Sequence, residues 1–166
     1  MINKNVETAL NRQIKHEEHS SRLYLAMASW CEANSYLGSA KFLFRQSEEE
    51  RMHQLKLIHY LNSRGGYAIL ADLPKIENEF KSLKEIFEKV LAHEQFITSS
   101  INEIYEIAQK EKDYNTAAFL QWYINEQVEE ENTANSILDM FKLLGKSDNY
   151  FMLDKELGAM GSVPLQ

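Results

Sequence analysis

Residues 82–110 read SLKEIFEKVLAHEQFITSSINEIYEIAQK and contain one apolar stripe with a single acid in its middle. Apolar side chains recur there at alternating spacings of three and four residues, which is the period of one face of an α-helix. The members of the stripe are Leu83, Phe87, Val90, Glu94, Ile97, Ile101, Ile104 and Ala108. Because only Glu94 is charged, the stretch predicts a long helix with one acid on its buried face.

Three further stretches repeat this arrangement, each predicting a helix whose apolar face is interrupted near its middle by polar side chains. The three stripes are Leu10, Glu17, Tyr24 and Cys31; Leu43, Gln46, Glu50, His53, Leu57 and Tyr60; and Thr116, Leu120, Tyr123, Gln127, Glu130, Ala134, Ile137, Phe141 and Leu144. Two pairs, Glu50 with His53 and Gln127 with Glu130, are three residues apart and therefore face the same side of a helix.

The composition of the 166-residue chain indicates one helical domain. It has two Pro and six Gly, and no stretch alternates apolar with polar residues over the length of a strand. The single Cys31 cannot form an internal disulfide. No apolar run reaches the roughly 18 residues of a membrane span and the first ten residues lack the apolar core of a signal peptide, so we expect a cytoplasmic protein without a membrane partner. The formal net charge of −7 disfavours nucleic acid as a partner and favours cations.

Capping residues and breaks predict where the helices begin and end. Asn3 or Asn5 can cap the first helix, Ser82 with Glu85 forms a capping box for the third, and Asp113 can cap the fourth. We expect one domain over residues 1–166, with long helices at about 4–33, 35–64, 82–110 and 113–144 and a short fifth helix at about 148–157.

The connections between these helices predict the topology. The 17 residues from 65 to 81 can extend over about 55 Å, whereas a helix of 30 residues spans only about 45 Å. This linker can therefore return along the whole bundle, which makes the second and third helices parallel. Short breaks near residues 34 and 112 make the other neighbours antiparallel. The expected fold is all-α, a four-helix bundle with one long crossover and a short C-terminal helix.

Four acids at mid-helix are expected to converge at one depth of this bundle. Desolvating one carboxylate costs several kcal/mol, and packing like charges together adds to the cost. The stripes carry no Lys or Arg, and His53 is their only basic member. Two divalent cations would balance the four carboxylates, with imidazole and the Gln127 amide as neutral additions. Oxygen ligands with one nitrogen favour iron or manganese over a closed zinc site.

Other interpretations of individual residues remain open at this point. A lone glutamate on a stripe is more often half of a buried ion pair or a surface position, and the acidic runs 48–50 and 129–131 are typical of a solvated face. Tyr24 can be core filling or a redox neighbour of the acids. Trp122 lies off the central stripe, which favours packing or an interface.

Two apparent motifs do not fit their usual chemistry. The segment from His16 to His19 resembles a zinc-protease signature, but its second histidine follows the first by three positions instead of four, so two exposed histidines beside Glu17 are expected. Met52 beside a core histidine indicates packing more often than a haem ligand.

The residues taken together match a known family. The match rests on Glu17 followed by Tyr24, on the segments EEERMH, LAHEQFI and FLQWYINEQVEEE, and on the terminal segment YFMLDKEL. On these motifs the chain resembles the bacterial non-haem ferritins over nearly its whole length. The resemblance implies a homo-oligomeric shell of 24 subunits in which Fe(II) is oxidised by oxygen or peroxide and stored as a ferric oxyhydroxide mineral.

The same resemblance implies a role for each site residue. The ligands of a first iron are Glu17, Glu50 and His53, and those of a second are Glu50, Glu94 and Glu130. Gln127 matches the neighbouring hydrogen-bonding residue and Tyr24 the tyrosine beside the centre. A third iron site is implied at Glu49, Glu126 and Glu129, with Glu130 shared, and these acids show no basic partner in the sequence.

Differences from several related families indicate which kinds of ferritin-like protein this chain is not expected to be. Bacterioferritins, rubrerythrins and di-iron oxygenases carry two Glu-x-x-His motifs, whereas the fourth helix here has Gln127 and Glu130. Arg51 follows Glu50 where bacterioferritin has its haem methionine, so no haem is expected. The mini-ferritins of starved cells lack the fifth helix and build their iron site between subunits, whereas this chain supplies the full set of ligands itself. A second function class stays open, a non-catalytic helical assembly whose buried acids serve specificity or bind another metal.

Overall fold

The computed structural model describes residues 2–147 and 149–165, which form five helices and, within those ranges, no strand. The helices are α1 (Lys4–Ala33), α2 (Leu37–Ser63), α3 (Leu83–Lys110), α4 (Tyr114–Leu144) and α5 (Phe151–Met160). None of the helices in these ranges is long and apolar enough to cross a lipid bilayer. The all-α prediction is confirmed.

Side-chain caps begin three of the four long helices. Asn3 caps α1 by accepting from Asn5 N at 2.8 Å, and Ser82 caps α3 by accepting from Glu85 N at 3.1 Å. Asp113 caps α4 by accepting from Thr116 N, also at 3.1 Å. These bonds satisfy amide groups that have no partner inside the first turn of a helix.

α2 begins at Leu37, two residues later than expected. Ser35 has φ +66° and cannot belong to a right-handed helix, so the turn after α1 extends past it. The first turn of α2 is capped from α5, because the Asp154 carboxylate accepts from Gly38 N at 2.9 Å and from Ser39 N at 2.8 Å. A residue distant in sequence thus performs the capping that no residue before Leu37 provides.

α5 also differs from the prediction of residues 148–157. It begins at Phe151 and continues to Met160; Asp148, the first residue of the predicted helix, lies outside the described residues. The prediction ended the helix at Gly158 because glycine usually follows a helix, but here Gly158 lies within it. Its lack of a side chain allows close packing, since a Cβ at Gly158 would be 3.2 Å from the Gly38 Cα.

The linker between α2 and α3 runs along α1. Near its start, Tyr67 N donates to Glu7 Oε1 at 3.0 Å and Ile69 N donates to Asn11 Oδ1 at 2.7 Å. Near its end, Phe80 packs edge-on against Trp30 in the last turns of α1. The linker therefore traverses the bundle and makes α2 and α3 parallel, which confirms the topology with one long crossover.

The interior consists of two apolar clusters separated by a polar layer. One cluster, around Phe87 and Phe141, fills the end of the bundle that packs against α5. The other, around Leu10 and Ile104, fills the opposite end. The residues between these clusters along each long helix include its mid-length glutamate. The fold thus places four acids between two dry cores.

Candidate metal centre

The polar layer consists of six buried side chains from the four long helices. They are Glu17 from α1, Glu50 and His53 from α2, Glu94 from α3, and Gln127 and Glu130 from α4. In the described ranges none of the four glutamates pairs with Lys or Arg. A buried carboxylate without a cation is unfavourable, so this layer calls for protons or metal ions as counter-charges.

Glu17, Glu50 and His53 form the tightest group. Each offers one potential ligand atom, and these atoms all lie within 4.8 Å of one another. Glu17 Oε2 and Glu50 Oε2 are buried and have no hydrogen-bond partner, although Glu50 Oε2 lies 3.4 Å from His53 Nδ1. Buried oxygens are rarely left without a partner, and here the two belong to adjacent carboxylates that could share a cation.

Glu94 is held by two donors from other helices. The Tyr24 hydroxyl donates to Glu94 Oε1, and Gln127 Nε2 donates to Glu94 Oε2 at 3.0 Å. Gln127 lies 3.2 Å from the Glu94 backbone oxygen as well. Tyr24 is fully buried and is therefore both core filling and a direct neighbour of a site acid.

Two buried amides that the sequence interpretation did not assign also hold site carboxylates. Gln13 Nε2 donates to Glu17 Oε1 at 2.8 Å, and Gln46 Nε2 donates to Glu130 Oε2 at 3.0 Å. Gln13 is itself fixed by Ser100, whose hydroxyl donates to Gln13 Oε1 at 2.6 Å. The contact between Gln13 and Glu17 could have been predicted from the sequence, because residues four apart lie on the same face of a helix.

Burial dominates the electrostatics of the layer. It raises the pKa of Glu17 well above its usual value, and the negative charge of Glu50 adds to the shift. Burial raises the pKa of Glu50 and of Glu94 as well, and for Glu50 the charge of Glu94 contributes. Burial followed by the charge of Glu94 raises the pKa of Glu130 to about 8. Without metal, the layer therefore retains protons at neutral pH.

Aromatic side chains fix the position of His53. The Tyr123 hydroxyl donates to the His53 backbone oxygen at 2.8 Å, and the Trp122 ring contacts the imidazole edge-on with centroids 5.3 Å apart. Lys56 Nζ lies over the Trp122 ring, 3.3 Å from its centroid. Trp122 thus packs against the candidate site, as its position off the central stripe indicated.

A second group lies beside the first. Potential ligand atoms of Glu49, His53 and Glu126 lie within 4.8 Å of one another. Glu129, the third acid predicted there, is exposed and does not belong to this group. The expectation that these acids have no basic partner is wrong, because Arg45 Nη1 lies 2.8 Å from Glu49 Oε2. The i, i+4 spacing on α2 brings the two together.

The two histidines near Glu17 are half-buried, whereas exposed side chains were expected. His16 Nδ1 lies 3.0 Å from Ser100 Oγ, and the His19 ring packs 6.1 Å from that of His93. Burial lowers the pKa of His93 to about 4, which keeps its imidazole neutral. These rings fill the α1–α3 interface.

Comparison with known proteins identifies the family. Residues 7–144 match the family described as the ferritin-like domain. The chain belongs to the ferritin family. It is 46% identical to the bacterial non-heme ferritin of Campylobacter jejuni over 149 residues, which cover 90% of this chain and 89% of that protein. The bacterial non-heme ferritin of Staphylococcus saprophyticus is 41% identical over 160 residues, with 96% of each chain covered.

Solved ferritin structures share the fold. The open-pore ferritin of the hyperthermophilic archaeon Archaeoglobus fulgidus matches with a TM-score of 0.91 at 39% identity, covering 95% of this chain and 96% of that chain. A site-directed variant of the same ferritin, engineered into a closed form, gives a TM-score of 0.92. The resemblance to bacterial non-haem ferritins is confirmed, and ferritin membership supports a role in iron storage.

Proposed function

We propose that this ferritin oxidises Fe(II) with oxygen or peroxide inside each subunit, as a ferroxidase, and stores the product as ferric oxyhydroxide in a hollow shell of 24 identical subunits. The observation that carries the proposal is the buried acid layer. Glu17 and Glu50 each keep a buried oxygen without a partner, and both belong to a group whose ligand atoms lie within 4.8 Å of one another. The proposed setting is the reducing cytoplasm, which suits the free and buried Cys31.

The proposed ligand sets come from the resemblance to bacterial non-haem ferritins, and the close grouping of Glu17, Glu50 and His53 supports the first of them. Glu17, Glu50 and His53 bind a first Fe(II), which is the substrate, and Glu50 bridges to a second Fe(II) that Glu94 and Glu130 complete. Gln13 donates to Glu17 Oε1 and Gln46 to Glu130 Oε2, so each amide engages one oxygen of its carboxylate and leaves the other for metal. Gln127 and Tyr24 instead orient Glu94 by donating to its two oxygens. Glu49, Glu126 and the exposed Glu129 are proposed to bind a third iron transiently.

The proposed redox step balances without a resident cofactor. Two Fe(II) ions supply two electrons, which reduce one dioxygen to hydrogen peroxide with uptake of two protons. Alternatively, two electrons and two protons convert one hydrogen peroxide to two waters. Each Fe(III) then reacts with two waters to give FeOOH and three protons. Bound Fe(II) displaces the protons of the raised-pKa carboxylates, because a metal ligand must be deprotonated.

The electrostatics disfavour the alternative function, a non-catalytic assembly with structural acids. Structural buried acids are normally paired with a cation or fully hydrogen-bonded. In the part of the chain that the structure describes, neither acid pairs with Lys or Arg, Glu50 has only the His53 imidazole at 3.4 Å, and each acid keeps one buried oxygen without a hydrogen-bond partner. They are adjacent and like-charged, an arrangement that costs stability unless a cation binds.

The test is aerobic mixing of metal-free protein with Fe(II), followed by absorbance and by sizing for a mineral-filled particle. We expect rapid oxidation by the parent and its loss in Glu94→Ala, which removes the acid that joins α3 to the site. Glu106→Ala is the matched control, because Glu106 is an exposed acid on the same helix. Equal oxidation rates in the parent and Glu94→Ala would refute the assigned centre.

A further inference from the structure

Arg45 connects the C-terminal tail, residues 161–165, with α2. Arg45 Nε donates to the Val163 backbone oxygen at 2.7 Å, and Arg45 Nη2 lies 3.5 Å from the Pro164 backbone oxygen. One edge of the guanidinium is therefore held by backbone carbonyls of the tail. An arginine presents several donors in a fixed plane, so fixing one edge orients the other.

The other edge of Arg45 faces the candidate iron ligands. Arg45 Nη1 donates to Glu49 Oε2 at 2.8 Å and to Gln46 Oε1 at 3.1 Å. Gln46 in turn donates to Glu130 Oε2. The Arg45 and Glu49 side chains are only 18% and 17% exposed, so water screens their charges less than at an open surface. One guanidinium thus contacts Glu49 directly and Glu130 through one amide.

The tail is seated closely on α2 where it meets Arg45. A Cβ at Gly161 would lie 2.6 Å from the Phe42 backbone nitrogen, so the tail backbone approaches the helix at a distance that only glycine permits. Next to it, Lys41 Nζ donates to Ser162 Oγ at 2.7 Å. These contacts place the Val163 carbonyl in reach of Arg45.

We propose that the positive charge of Arg45 weakens cation binding at the group of Glu49 and Glu126, and that the tail holds the guanidinium in the position where it does so. This inference rests on the proposed third iron site. A cation that binds Glu49 must displace or approach a permanently charged guanidinium, which opposes its retention. The tail keeps the guanidinium in place, so iron is held there briefly and passed on.

The direct test is calorimetric titration of the metal-free full-length protein with Zn²⁺, a redox-inert probe. We expect Arg45→Gln to bind the Zn²⁺ of the third site at least about tenfold more tightly, because a divalent ion and a like-charged neighbour about 6 Å apart repel by that much even at the dielectric constant of bulk water. Arg45→Lys keeps the charge but loses the planar contact with both tail carbonyls, so its affinity should fall between those of the parent and Arg45→Gln. Arg51→Gln is the matched control, because Arg51 pairs with Glu48 in an exposed pair on the same helix.

A truncation that deletes the chain from Ser162 onward tests the role of the tail. It should tighten the third Zn²⁺ site in the parent and change nothing further in Arg45→Gln, because both changes act through the same guanidinium. An equal effect of truncation in both backgrounds would overturn the coupling of the tail to Arg45. Circular dichroism and sizing confirm that each variant is folded and assembled.

Failure of this inference is distinguishable from failure of the proposed function. If the parent oxidises Fe(II) but Arg45→Gln leaves the third Zn²⁺ site unchanged or weaker, or no third Zn²⁺ binds, the inference is overturned and the two-iron centre stands. If the parent neither oxidises Fe(II) nor binds Zn²⁺ at the buried acids, the proposed function fails first. A tighter third site in Arg45→Gln alone supports the inference.

Discussion

Gln13 Nε2 donates to Glu17 Oε1 at 2.8 Å, while Glu17 Oε2 stays buried without a partner. The amide thereby selects which carboxylate oxygen is free to bind a metal ion. Ser100 fixes the amide in turn by donating to Gln13 Oε1. Neighbours of this kind orient metal ligands, and their loss typically reduces metal affinity or activity by about 10- to 100-fold.

Gln13→Leu should therefore slow Fe(II) oxidation by about tenfold or more while the four glutamates remain in place. Stopped-flow absorbance after aerobic mixing measures the rate. Gln54→Leu is the control, because Gln54 is a buried glutamine that donates to Glu18 outside the layer. If the two variants oxidise iron equally fast, Gln13 does not orient Glu17 for metal.

The third iron site should depend unequally on its three predicted acids. Glu49 and Glu126 lie in one group with His53, whereas Glu129 is exposed outside it. Glu49→Gln with Glu126→Gln should change the ratio of iron oxidised to oxygen consumed while the first fast phase persists. Glu129→Gln should have a much smaller effect. An oxygen electrode gives the ratio, and a dominant effect of Glu129 would contradict the geometry.

The exposed face of α5 should mediate assembly. A helix of ten residues with this many apolar side chains cannot bury all of them by itself, and the structure places them on two different faces. Leu153 and Leu157 are buried in the subunit, whereas Phe151 and Met152 are 72% and 66% exposed. Large exposed apolar side chains side by side mark an interaction surface.

Replacing Phe151 and Met152 together by Ser should weaken the shell and leave the subunit folded. Light scattering measures the particle size, and circular dichroism measures the helix content. Lys155→Ser, an exposed change on the same helix, is the control. A shell as stable as that of the parent would show that α5 packs only within its own subunit.

Periodicity predicted the four-helix fold and the burial of the site acids, because both follow from the spacing of side chains along each helix. The acid Glu94 illustrates this, since its stripe alone required it to face inward. The start of α2 could not be predicted, because its cap is Asp154 from α5, a contact that exists only in the folded chain. The carbonyls of the tail meet Arg45 for the same reason.

Some missed features were accessible from the sequence. Arg45 and Glu49 are four residues apart, a spacing that pairs opposite charges on a helix surface. Gln46 also lies four residues before Glu50, on the stripe that was already assigned. In both cases a polar residue lies one helical turn before an acid of the site, and this spacing predicts a contact with the site.

The stability of the metal-free protein should fall as the pH rises from about 5 to 8. Glu130 has a pKa raised to about 8 in the folded state, against an ordinary glutamate value of 4.5, and the pKa of Glu17 and of Glu50 is raised too. Between these values the folded state binds more protons than the unfolded state. The free energy of unfolding then decreases by about 1.4 kcal/mol per pH unit for each extra bound proton.

Urea unfolding in the presence of a chelator, at several pH values, measures this slope. Glu106→Gln is the control and should leave it unchanged, because Glu106 is exposed. A stability that rises between pH 5 and pH 8 would mean that the glutamates are stabilised as carboxylates by partners in the protein.

Glu50 is the residue at which a cation-binding role of the buried acids is best separated from a structural one, because it belongs to both proposed ligand sets. Its Oε2 accepts no hydrogen bond and has only the longer contact with His53 Nδ1 at 3.4 Å, so Glu50→Leu removes a carboxylate from the layer without breaking a hydrogen bond to that oxygen. Glu94 is less suitable, because Tyr24 and Gln127 both donate to it. An apolar residue of similar size commonly leaves stability unchanged or improves it at such a position.

The decisive measurement is thermal unfolding of the parent and of Glu50→Leu, first with a chelator and then with Zn²⁺. Without metal, we expect Glu50→Leu to be as stable as the parent or more stable by about 1 kcal/mol. Added Zn²⁺ should raise the unfolding temperature of the parent much more than that of the variant, because only the parent keeps both ligand sets. If Glu50→Leu unfolds several degrees earlier without metal and Zn²⁺ stabilises both proteins equally, the buried acids are structural and do not form a metal centre.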